Sequence, residues 1–573
     1  MRRLPEADPG SPDLRSPLHY LGWLASRQWT LLLGGTVCGI IWMTSQALVW
    51  VAVGAAIGGV DSSSTSTLVA WTVVVVALGA VQAWSGRWRH SFAVTNWLTA
   101  TYRTIQLIGR HATVAGPALP AAIPSGDVVN TVAADAMRVG GMFDVSARFA
   151  GAVVAWLVIA AYLFSSSPTL GLIVLLGVPI LMVLTVPMMR PLHSTQAVQR
   201  EVVGKLTALG ADTVAGLRIL RGVGGEDVFL GRYRMRSDEV RRAGNRVAGP
   251  QALLESGEVL LPALLVAAVT LLTARLVVRG TLSANELVAF FGLTAFLTMP
   301  LRTAIEGIIA ATRGIVGARK VLAVLSVAPS TTEPASPAAV PEPDGALVDP
   351  HSGFEAKSGC LTALVTETPE EAQVIADRLG RFTPPGASEW SEAELSGVPL
   401  RDLALAVLRE RVVVSEVDPR LFTGPLREEL SPHRAASDAT ILETIEAASA
   451  EDVIDALPDG LDTEVEERGR GFSGGQRQRL ALVRVLLLDP EFLVLVEPTS
   501  AVDTHTEGRI ARRLREAREG RGTVVATTSP LLLEQADEVF YVAGGVVVDR
   551  GGHDDLLDAN PSYRALILRG NDA

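Results

Sequence analysis

The sequence predicts a multidomain chain, in which an all-α membrane domain of six helices is followed by a soluble α/β domain. The chain has 573 residues, which is too long for one ordinary domain. Hydrophobic residues make up 48% of it and charged residues only 19%, so it is poorer in charge than typical soluble proteins. Long apolar runs stop at about residue 327, and the sequence after that point has a soluble α/β pattern.

Uncharged runs predict the membrane helices. No charged residue lies between Arg27 and Asp61, and none lies between Arg148 and Arg190. The second run is too long for one span of about 20 residues but fits two spans joined by the turn Ser165–Pro168. We therefore predict six spans, near residues 30–58, 66–86, 146–165, 168–189, 257–278 and 285–308.

Two long polar segments, after the second and fourth spans, are rich in arginine. Cytoplasmic segments carry an excess of lysine and arginine, so both segments and both termini are predicted to face the cytoplasm. Charges interrupt the last two spans, at Glu255, Glu258, Arg275 and Arg302. Since ionisable groups in spans are functional by default, Glu255 and Glu258 are candidates for a substrate cavity.

Charge and composition exclude several classes of protein. The net charge of −11 argues against nucleic-acid binding, which usually leaves a basic patch. Cys38 and Cys360 form no disulfide framework and fit a reducing cytosolic side. No metal site is predicted, because no pair of histidines has metal-ligand spacing among His19, His90, His111, His193, His351, His433, His505 and His553.

The strongest motif is Phe472–Arg479, which reads FSGGQRQR and precedes a helical run. Its glycine pair lets backbone N–H groups approach phosphate, and the positive N-terminus of the helix that follows attracts an anion. Downstream, Phe492–Asp503 reads FLVLVEPTSAVD, an apolar strand that ends in a carboxylate. Together these stretches resemble the signature motif, Walker B strand and D-loop of ABC transporters.

The resemblance covers essentially the whole chain from residue 20 onward. Gly126–Val129 and Asp135 resemble the first intracellular loop of ABC exporters, and Gly216–Arg221 resembles the second. It implies a half-transporter, with a six-helix ABC exporter transmembrane domain fused to an ABC-type P-loop ATPase domain. We predict an N-terminal cytoplasmic tail at 1–20, the transmembrane domain at 21–327, a Pro-rich linker at 328–345 and the nucleotide-binding domain at 346–573.

The Walker A stretch departs from the family pattern G-x-x-G-x-G-K-[ST]. The corresponding residues, Thr366–Gln373, read TETPEEAQ and contain none of the glycines that cradle phosphate. Ala372 stands at the lysine position, and Gln373 stands at the position of the magnesium-binding serine or threonine.

The replacement residues predict an ordinary helix start. Thr368 is expected to cap the helix, with Pro369 at its first position and Glu371 completing a capping box. Proline lacks an N–H that a phosphate would use, and Glu370 and Glu371 would repel the phosphate charge. We predict that this Walker site does not bind ATP tightly.

Further positions implied by the resemblance have also changed. They are Val496 for the Walker B magnesium aspartate, Val417 or the adjacent Glu416 for the Q-loop glutamine, and Thr528 for the switch histidine. No convincing adenine-stacking aromatic stands at the expected upstream position, where Phe354 is the nearest candidate. Glu497, the family's water-activating glutamate, is kept. Without magnesium or a γ-phosphate it has nothing to act on, so it is predicted to be vestigial.

The family's nucleotide domains pair head to tail, so each ATP lies between one chain's Walker A and the other chain's signature. This chain keeps the signature residues Ser473, Gly474, Gly475 and Gln476, and the D-loop Asp503. A homodimer would have two inactive sites. The resemblance therefore implies a second half-transporter with intact Walker motifs, which holds ATP and Mg²⁺ against this chain's signature, and it implies that this chain alone is inactive.

Three function classes remain open. The first is a subunit of an ATP-driven exporter of a small molecule, peptide or lipid-like substrate. The second is an importer of an iron chelate with the same architecture, and the third is a non-transporting pseudo-ATPase membrane regulator. The Ala/Gly/Val/Arg-rich composition, with 5% aromatic residues, suggests a GC-rich genome and hence a bacterial plasma membrane.

Overall fold

The computed structural model describes residues 8–61, 64–343, 345–383, 392–432 and 436–570. His433 lies outside the described residues. The chain divides into two units. The first extends to His111 and from Ile123 to Ser326, and the second contains Ala112–Ala122 and the chain from Val327 onward.

The first part of the chain is helical. Its helices are α1 (Pro17–Arg27), α2 (Trp29–Asp61), α3 (Thr65–Ala115), α4 (Ala118–Ala122), α5 (Ser125–Asn130), α6 (Ala136–Ser166), α7 (Pro168–Ala215), α8 (Leu217–Val223), α9 (Glu226–Val278), α10 (Ala284–Phe296) and α11 (Thr298–Leu325). A π-helical segment, Thr131–Asp135, joins α5 to α6.

Within the described residues, six helical stretches are long and apolar enough to cross a membrane. They are Trp29–Val60, Thr65–Ala115, Ser125–Ser166, Pro168–Ala215, Glu226–Val278 and Ala284–Leu325. Each of the predicted spans lies within one of these stretches, which confirms the six-helix prediction. The polar segments after the second and fourth spans continue the same helices, so α3, α7 and α9 extend well beyond the apolar part.

Helix α1 begins inside the tail predicted for residues 1–20. The Ser16 side chain accepts a hydrogen bond from the His19 N–H, and Pro17 occupies the first helical turn, where its missing N–H costs nothing. Tyr20 and Leu24 are fully buried. Apolar residues of α1 thus pack within the first unit, beginning at Tyr20.

Helices α2 and α6 approach closely at glycines. A β-carbon on Gly39 would lie 2.2 Å from the Ala147 carbonyl oxygen, and one on Gly151 would lie 2.5 Å from the Gly39 carbonyl oxygen. Small residues at such crossings let helix backbones pack in a membrane. At the start of α6, the fully buried Asp135 pairs with Arg138 at 2.5 Å and Lys320 at 3.4 Å, so it ties α6 to α11.

The second unit is α/β. Its strands are β1 (Ala346–Asp349), β2 (Phe354–Lys357), β3 (Leu361–Thr366), β4 (Glu394–Leu395), β5 (Val398–Pro399), β6 (Val412–Ser415), β7 (Gly424–Pro425), β8 (Glu464–Val465), β9 (Phe492–Val496), β10 (Gly522–Ala526), β11 (Glu538–Ala543) and β12 (Val546–Gly551). Its further helices are α12 (Pro369–Leu379), α13 (Leu405–Arg411), α14 (Leu426–Leu430), α15 (Asp438–Ala447), α16 (Glu451–Asp455), α17 (Gly474–Leu486), α18 (Thr504–Ala517), α19 (Pro530–Leu533), α20 (His553–Ala559) and α21 (Pro561–Gly570).

A six-stranded sheet forms the centre of this unit, in the order β12-β11-β3-β10-β9-β6. Its strands are parallel except β12, which runs antiparallel to β11. A smaller antiparallel sheet has the order β2-β1-β4-β5. Strands β3, β9 and β10 are buried throughout, as expected for a parallel sheet covered on both faces. The predicted α/β class is confirmed.

The Pro-rich segment predicted as a linker forms neither helix nor strand between residues 328 and 343. Its backbone is nevertheless hydrogen-bonded within the second unit. Arg381 Nη2 donates to the Thr332 carbonyl at 2.6 Å, and Arg411 Nη1 donates to the Pro341 carbonyl at 2.7 Å. The segment thus runs along the α/β unit.

Candidate nucleotide site

The loop from β3 to α12 holds the residues assigned to Walker A. The Thr368 side chain accepts a hydrogen bond from the Glu371 N–H at 3.4 Å, and Pro369 occupies the first turn of α12. This confirms the predicted cap and proline. A backbone N–H that a bound anion would need is therefore absent at Pro369 and already taken at Glu371.

The expected capping box is wrong in one half. The Glu371 carboxylate makes no hydrogen bond back to Thr368, and its buried Oε2 has no hydrogen-bond partner among the described residues. Nearby, the Tyr541 hydroxyl donates to Glu367 Oε1 at 3.5 Å. Burial raises the pKa of Tyr541, and the charges of Glu367 and Glu371 raise it further. Two carboxylates thus give this loop a negative potential.

Three of the positions assigned to altered motif residues share one apolar cluster. Ala372 is 3% exposed and Val496 is 1% exposed, and both belong to a hydrophobic cluster that also contains Phe492. Val417, just after β6, is half-buried and packs against the same cluster. The side chains that the structure brings together here are hydrocarbon. An ion or a phosphate would have to be desolvated against it.

The other assigned positions are also occupied by local contacts. Gln373 Nε2 donates to Asp377 Oδ1 at 2.8 Å within α12, while Glu416 is exposed beside Val417. Phe354 is fully buried, and its ring meets Phe540 edge-on at 5.1 Å between centroids. Phe354, the residue nearest the expected position of a base-stacking aromatic, therefore packs its ring within the core.

Glu497 follows β9 in a strained backbone conformation. Its φ is 45°, a left-handed value that residues other than glycine rarely adopt. Its N–H donates to the Ala526 carbonyl at 2.8 Å, which continues the β9–β10 ladder. Burial raises the pKa of the Glu497 carboxyl, and Glu507 adds to this, whereas hydrogen bonds from Thr527 and the Thr528 backbone oppose it. Thr528, assigned to the switch position, thus holds Glu497 through its main chain.

The signature residues form the start of α17. Ser473 and Gln476 make a complete capping box: the Ser473 Oγ accepts from the Gln476 N–H at 3.3 Å, and Gln476 Oε1 accepts from the Ser473 N–H at 2.8 Å. The N–H groups of Gly474 and Gly475 lie in the first turn, where no intrahelical acceptor exists. This end of α17 is therefore suited to an anion.

The D-loop lies directly against the signature. A β-carbon on Gly475 would stand 2.5 Å from the Ala501 carbonyl oxygen, so glycine is required there. Asp503 caps α18, and its Oδ1 accepts from the Thr506 N–H at 3.0 Å. This hydrogen bond lowers the pKa of the Asp503 carboxyl. The two predicted elements are thus brought together in one chain.

Gln478 joins these loops, a role that was not predicted from the sequence. The buried Gln478 side chain donates from Nε2 to Ser500 Oγ at 2.8 Å and to the Val417 carbonyl at 3.3 Å. Its Oε1 accepts from the Ala501 N–H at 2.9 Å. Helical spacing from the buried Leu482 would have placed Gln478 on the inner face of α17, where an amide must find polar partners.

Apolar helices of membrane-spanning length, joined to an α/β unit with a glycine-led helix beside a buried strand and carboxylate, define an integral membrane protein with an ATPase-type domain. Residues 29–301 match the ABC transporter transmembrane region, and residues 362–500 match the ABC transporter family. The chain belongs to the ABC transporter family. The matched ATP-binding domain is of a kind that uses ATP and Mg²⁺.

Several relatives share both parts. An ATP-dependent lipid A-core flippase of Pseudomonas aeruginosa is 30% identical over 435 residues, which cover 72% of this chain and 70% of the relative. The Bacillus subtilis protein YwjA, an uncharacterized ABC transporter ATP-binding protein, is 29% identical over 64% of this chain and 65% of its own length. A probable multidrug resistance ABC transporter of the same species, YheI, is 30% identical over 65% of this chain and 66% of the relative.

Proposed function

We propose that this chain is one subunit of a heterodimeric, ATP-driven exporter. We further propose that it contributes its signature motif to an ATP site whose Walker motifs belong to the partner. The observation that carries the proposal is an asymmetry within one domain. The positions assigned to the chain's own lysine and magnesium ligand, Ala372 and Val496, lie in an apolar cluster. The start of α17, in contrast, keeps its two glycines and free backbone donors.

The chain's own Walker positions are proposed not to hold Mg²⁺-ATP. The negative charge of the β3–α12 loop opposes a polyphosphate, and burying an unpaired ion against apolar side chains costs several kcal/mol. Beside Ala372, the first turn of α12 carries the carboxylates of Glu370 and Glu371. Glu497, half-buried beside this site, therefore has no reacting group to act on.

The proposed direction of transport is outward, with the α/β unit and both termini in the cytoplasm. The arginine-rich segments of α3, α7 and α9 support this topology through the positive-inside rule. The similarity to a lipid A-core flippase and to a probable multidrug resistance transporter supports export of an apolar or amphipathic substrate. A bacterial plasma membrane is the proposed location.

The full-length chain alone, in lipid nanodiscs, is expected to show no ATPase activity above background. Its only Walker site lacks the lysine and magnesium ligand, at Ala372 and Val496. The measurement is phosphate release with and without the partner, and the control is Glu497→Gln in this chain alone. A turnover of about one per second or faster that Glu497→Gln removes would contradict the proposal, because contaminating ATPase would not respond to that change.

Gln478→Leu is expected to lower kcat of the assembled pair by about 10-fold or more while leaving the KM for ATP nearly unchanged. Loss of the amide releases Ala501 and Ser500, so the D-loop shifts relative to the signature, and displacements of about 1 Å can cost 100-fold in rate. The matched control is Gln373→Leu, since the Gln373 side chain donates to Asp377 on its own helix.

Gln478→Glu distinguishes positioning from simple destabilisation. It keeps the acceptor for the Ala501 N–H, and the Ser500 hydroxyl can donate to it in place of accepting. It should therefore retain more of kcat than Gln478→Leu does. Equal losses in both variants, or a rise in KM without a fall in kcat, would assign Gln478 to folding or to nucleotide binding instead.

A further inference from the structure

The first unit contains a large cavity between α7, α9, α10 and α11, with a volume of about 1640 Å³. One part of its wall is apolar and includes Val266, Leu271 and Phe291. Another part is polar, and the charged residues that line it are Glu255, Glu258, Arg302 and Glu306. Glu255 and Glu258, the two candidates predicted from the sequence, therefore both line this cavity.

The polar part of the cavity wall lies at a defined position along the membrane-spanning helices. Glu258 stands 20 residues before Val278, the end of α9, which corresponds to about 30 Å of helix. Arg302 is at a similar distance, about 27 Å, from Ala284 at the start of α10. Because the hydrocarbon core of a bilayer is about 30 Å thick, the charges lie at one membrane boundary and the apolar wall lies within the membrane.

The charges in the cavity do not cancel. Glu258 pairs with Arg302 at 3.6 Å, and Glu306 pairs at the same distance with Arg148, which also bonds Asp144. Glu255 is different: its Oε1 accepts from Gln251 Nε2 at 3.0 Å, and it has no cation partner among the described residues. The charged side chains that line the cavity are three carboxylates and one guanidinium, which leaves an excess of negative charge.

A buried hydroxyl group also faces this cavity. Thr270 lines the cavity in the apolar part of α9, and its Oγ1 is buried without a hydrogen-bond partner among the described residues. A hydroxyl in such surroundings is costly unless a partner reaches it. The cavity thus offers a carboxylate at its mouth, a hydroxyl further in and an apolar wall.

We propose that this cavity binds an amphipathic cation, whose positive group pairs with Glu255 and whose apolar body lies against Leu271 and Phe291. The positive group of such a molecule complements the excess of negative charge near the membrane boundary. Its apolar body complements the apolar wall that lies within the membrane. An anionic lipid headgroup would meet the excess of carboxylates and be repelled. The inference rests on the proposed function only in making this molecule the transported substrate, since binding itself needs neither ATP nor a partner.

The test uses two probes of nearly equal size and opposite charge, tetraphenylphosphonium and tetraphenylborate. Equilibrium binding of each to the full-length chain in neutral-lipid nanodiscs is measured against empty nanodiscs. We expect saturable binding of tetraphenylphosphonium and none of tetraphenylborate. Saturable binding of tetraphenylborate with equal or higher affinity, or no saturable binding of the cation, would overturn the proposal.

Substitutions of single residues test where in the cavity the cation binds. Glu255→Gln is expected to weaken tetraphenylphosphonium binding by about 5-fold, as for loss of a partly exposed ion pair. The matched control is Glu239→Gln on the same helix, because Glu239 pairs with Arg236 and does not line the cavity. Equal affinity for the wild-type chain and Glu255→Gln would refute the role of Glu255. The assay is independent of hydrolysis, so failure of the heterodimer proposal in ATPase assays would leave its outcome unchanged.

Discussion

Ser473→Arg in this chain is expected to abolish ATP hydrolysis by the assembled heterodimer, although the proposed hydrolysing Walker motifs belong to the partner. Ser473 is exposed at the start of α17, next to the free donors of Gly474 and Gly475. A long side chain there blocks the approach of this helix end to the γ-phosphate. We expect a loss of at least about 100-fold, the scale seen when one donor to a reacting charge is lost. The measurement is the ATPase rate of the purified pair.

Two controls make the result specific. Ser437→Arg removes an equivalent cap, because the exposed Ser437 side chain accepts from the Thr440 N–H at the start of α15. Losing either cap costs about 1 kcal/mol, so equal activity losses in both variants would indicate destabilisation. Glu497→Gln in this chain should change the rate little. If Glu497→Gln removes activity while Ser473→Arg does not, the working site has been assigned to the wrong half.

Gly475→Asp should give the same loss by a second route. Any side chain at this position meets the Ala501 carbonyl oxygen, and a carboxylate adds repulsion toward phosphate. The matched control is Gly508→Asp on α18, outside the signature, where a β-carbon would lie 3.7 Å from Leu531 Cδ1, an ordinary contact distance. An active Gly475→Asp pair would show that this loop does not reach the nucleotide.

Local patterns were enough to predict the fold and the altered helix start. The charge-free stretch between Arg148 and Arg190 marked two membrane helices, because a charge in the bilayer core is costly at every position along a span. Likewise, Thr368 and Pro369 predicted the start of α12, since capping depends on residues only a few positions apart. Such features are decided within a single helix or turn.

Features that depend on distant residues could not be predicted. Ala372, Val417 and Val496 are far apart in the chain, and only the parallel pairing of β6 with β9 and the packing of α12 bring them into one cluster. The sequence predicted three separate motif changes, whereas the structure places the three residues in one apolar region. The core packing of Phe354 could not be predicted for the same reason, because its partner Phe540 lies in another strand.

Val496→Asp, which restores the family's magnesium ligand, is expected to destabilise the α/β unit by at least about 3 kcal/mol, because it buries an unpaired carboxylate. Val496 is 1% exposed at the end of β9, against Ala372 and Phe492 in the same cluster. For a unit of this size the thermal transition should fall by about 6 °C or more. The measurement is thermal unfolding of the full-length chain in nanodiscs, with hydrogen exchange of peptides covering β9 to locate the change.

The control for this substitution is Val548→Asp, the same change on β12 at a position that is 59% exposed, where we expect little loss. Adding Ala372→Lys tests whether the old site can be rebuilt. Lysine would place a second charge in the cluster beside the aspartate, but Pro369 and the carboxylates of Glu370 and Glu371 would still oppose phosphate. The double variant should therefore remain unable to bind Mg²⁺-ATP tightly. A double variant that is as stable as the wild type and binds the nucleotide at micromolar concentration would show that the apolar cluster is not what closes this site.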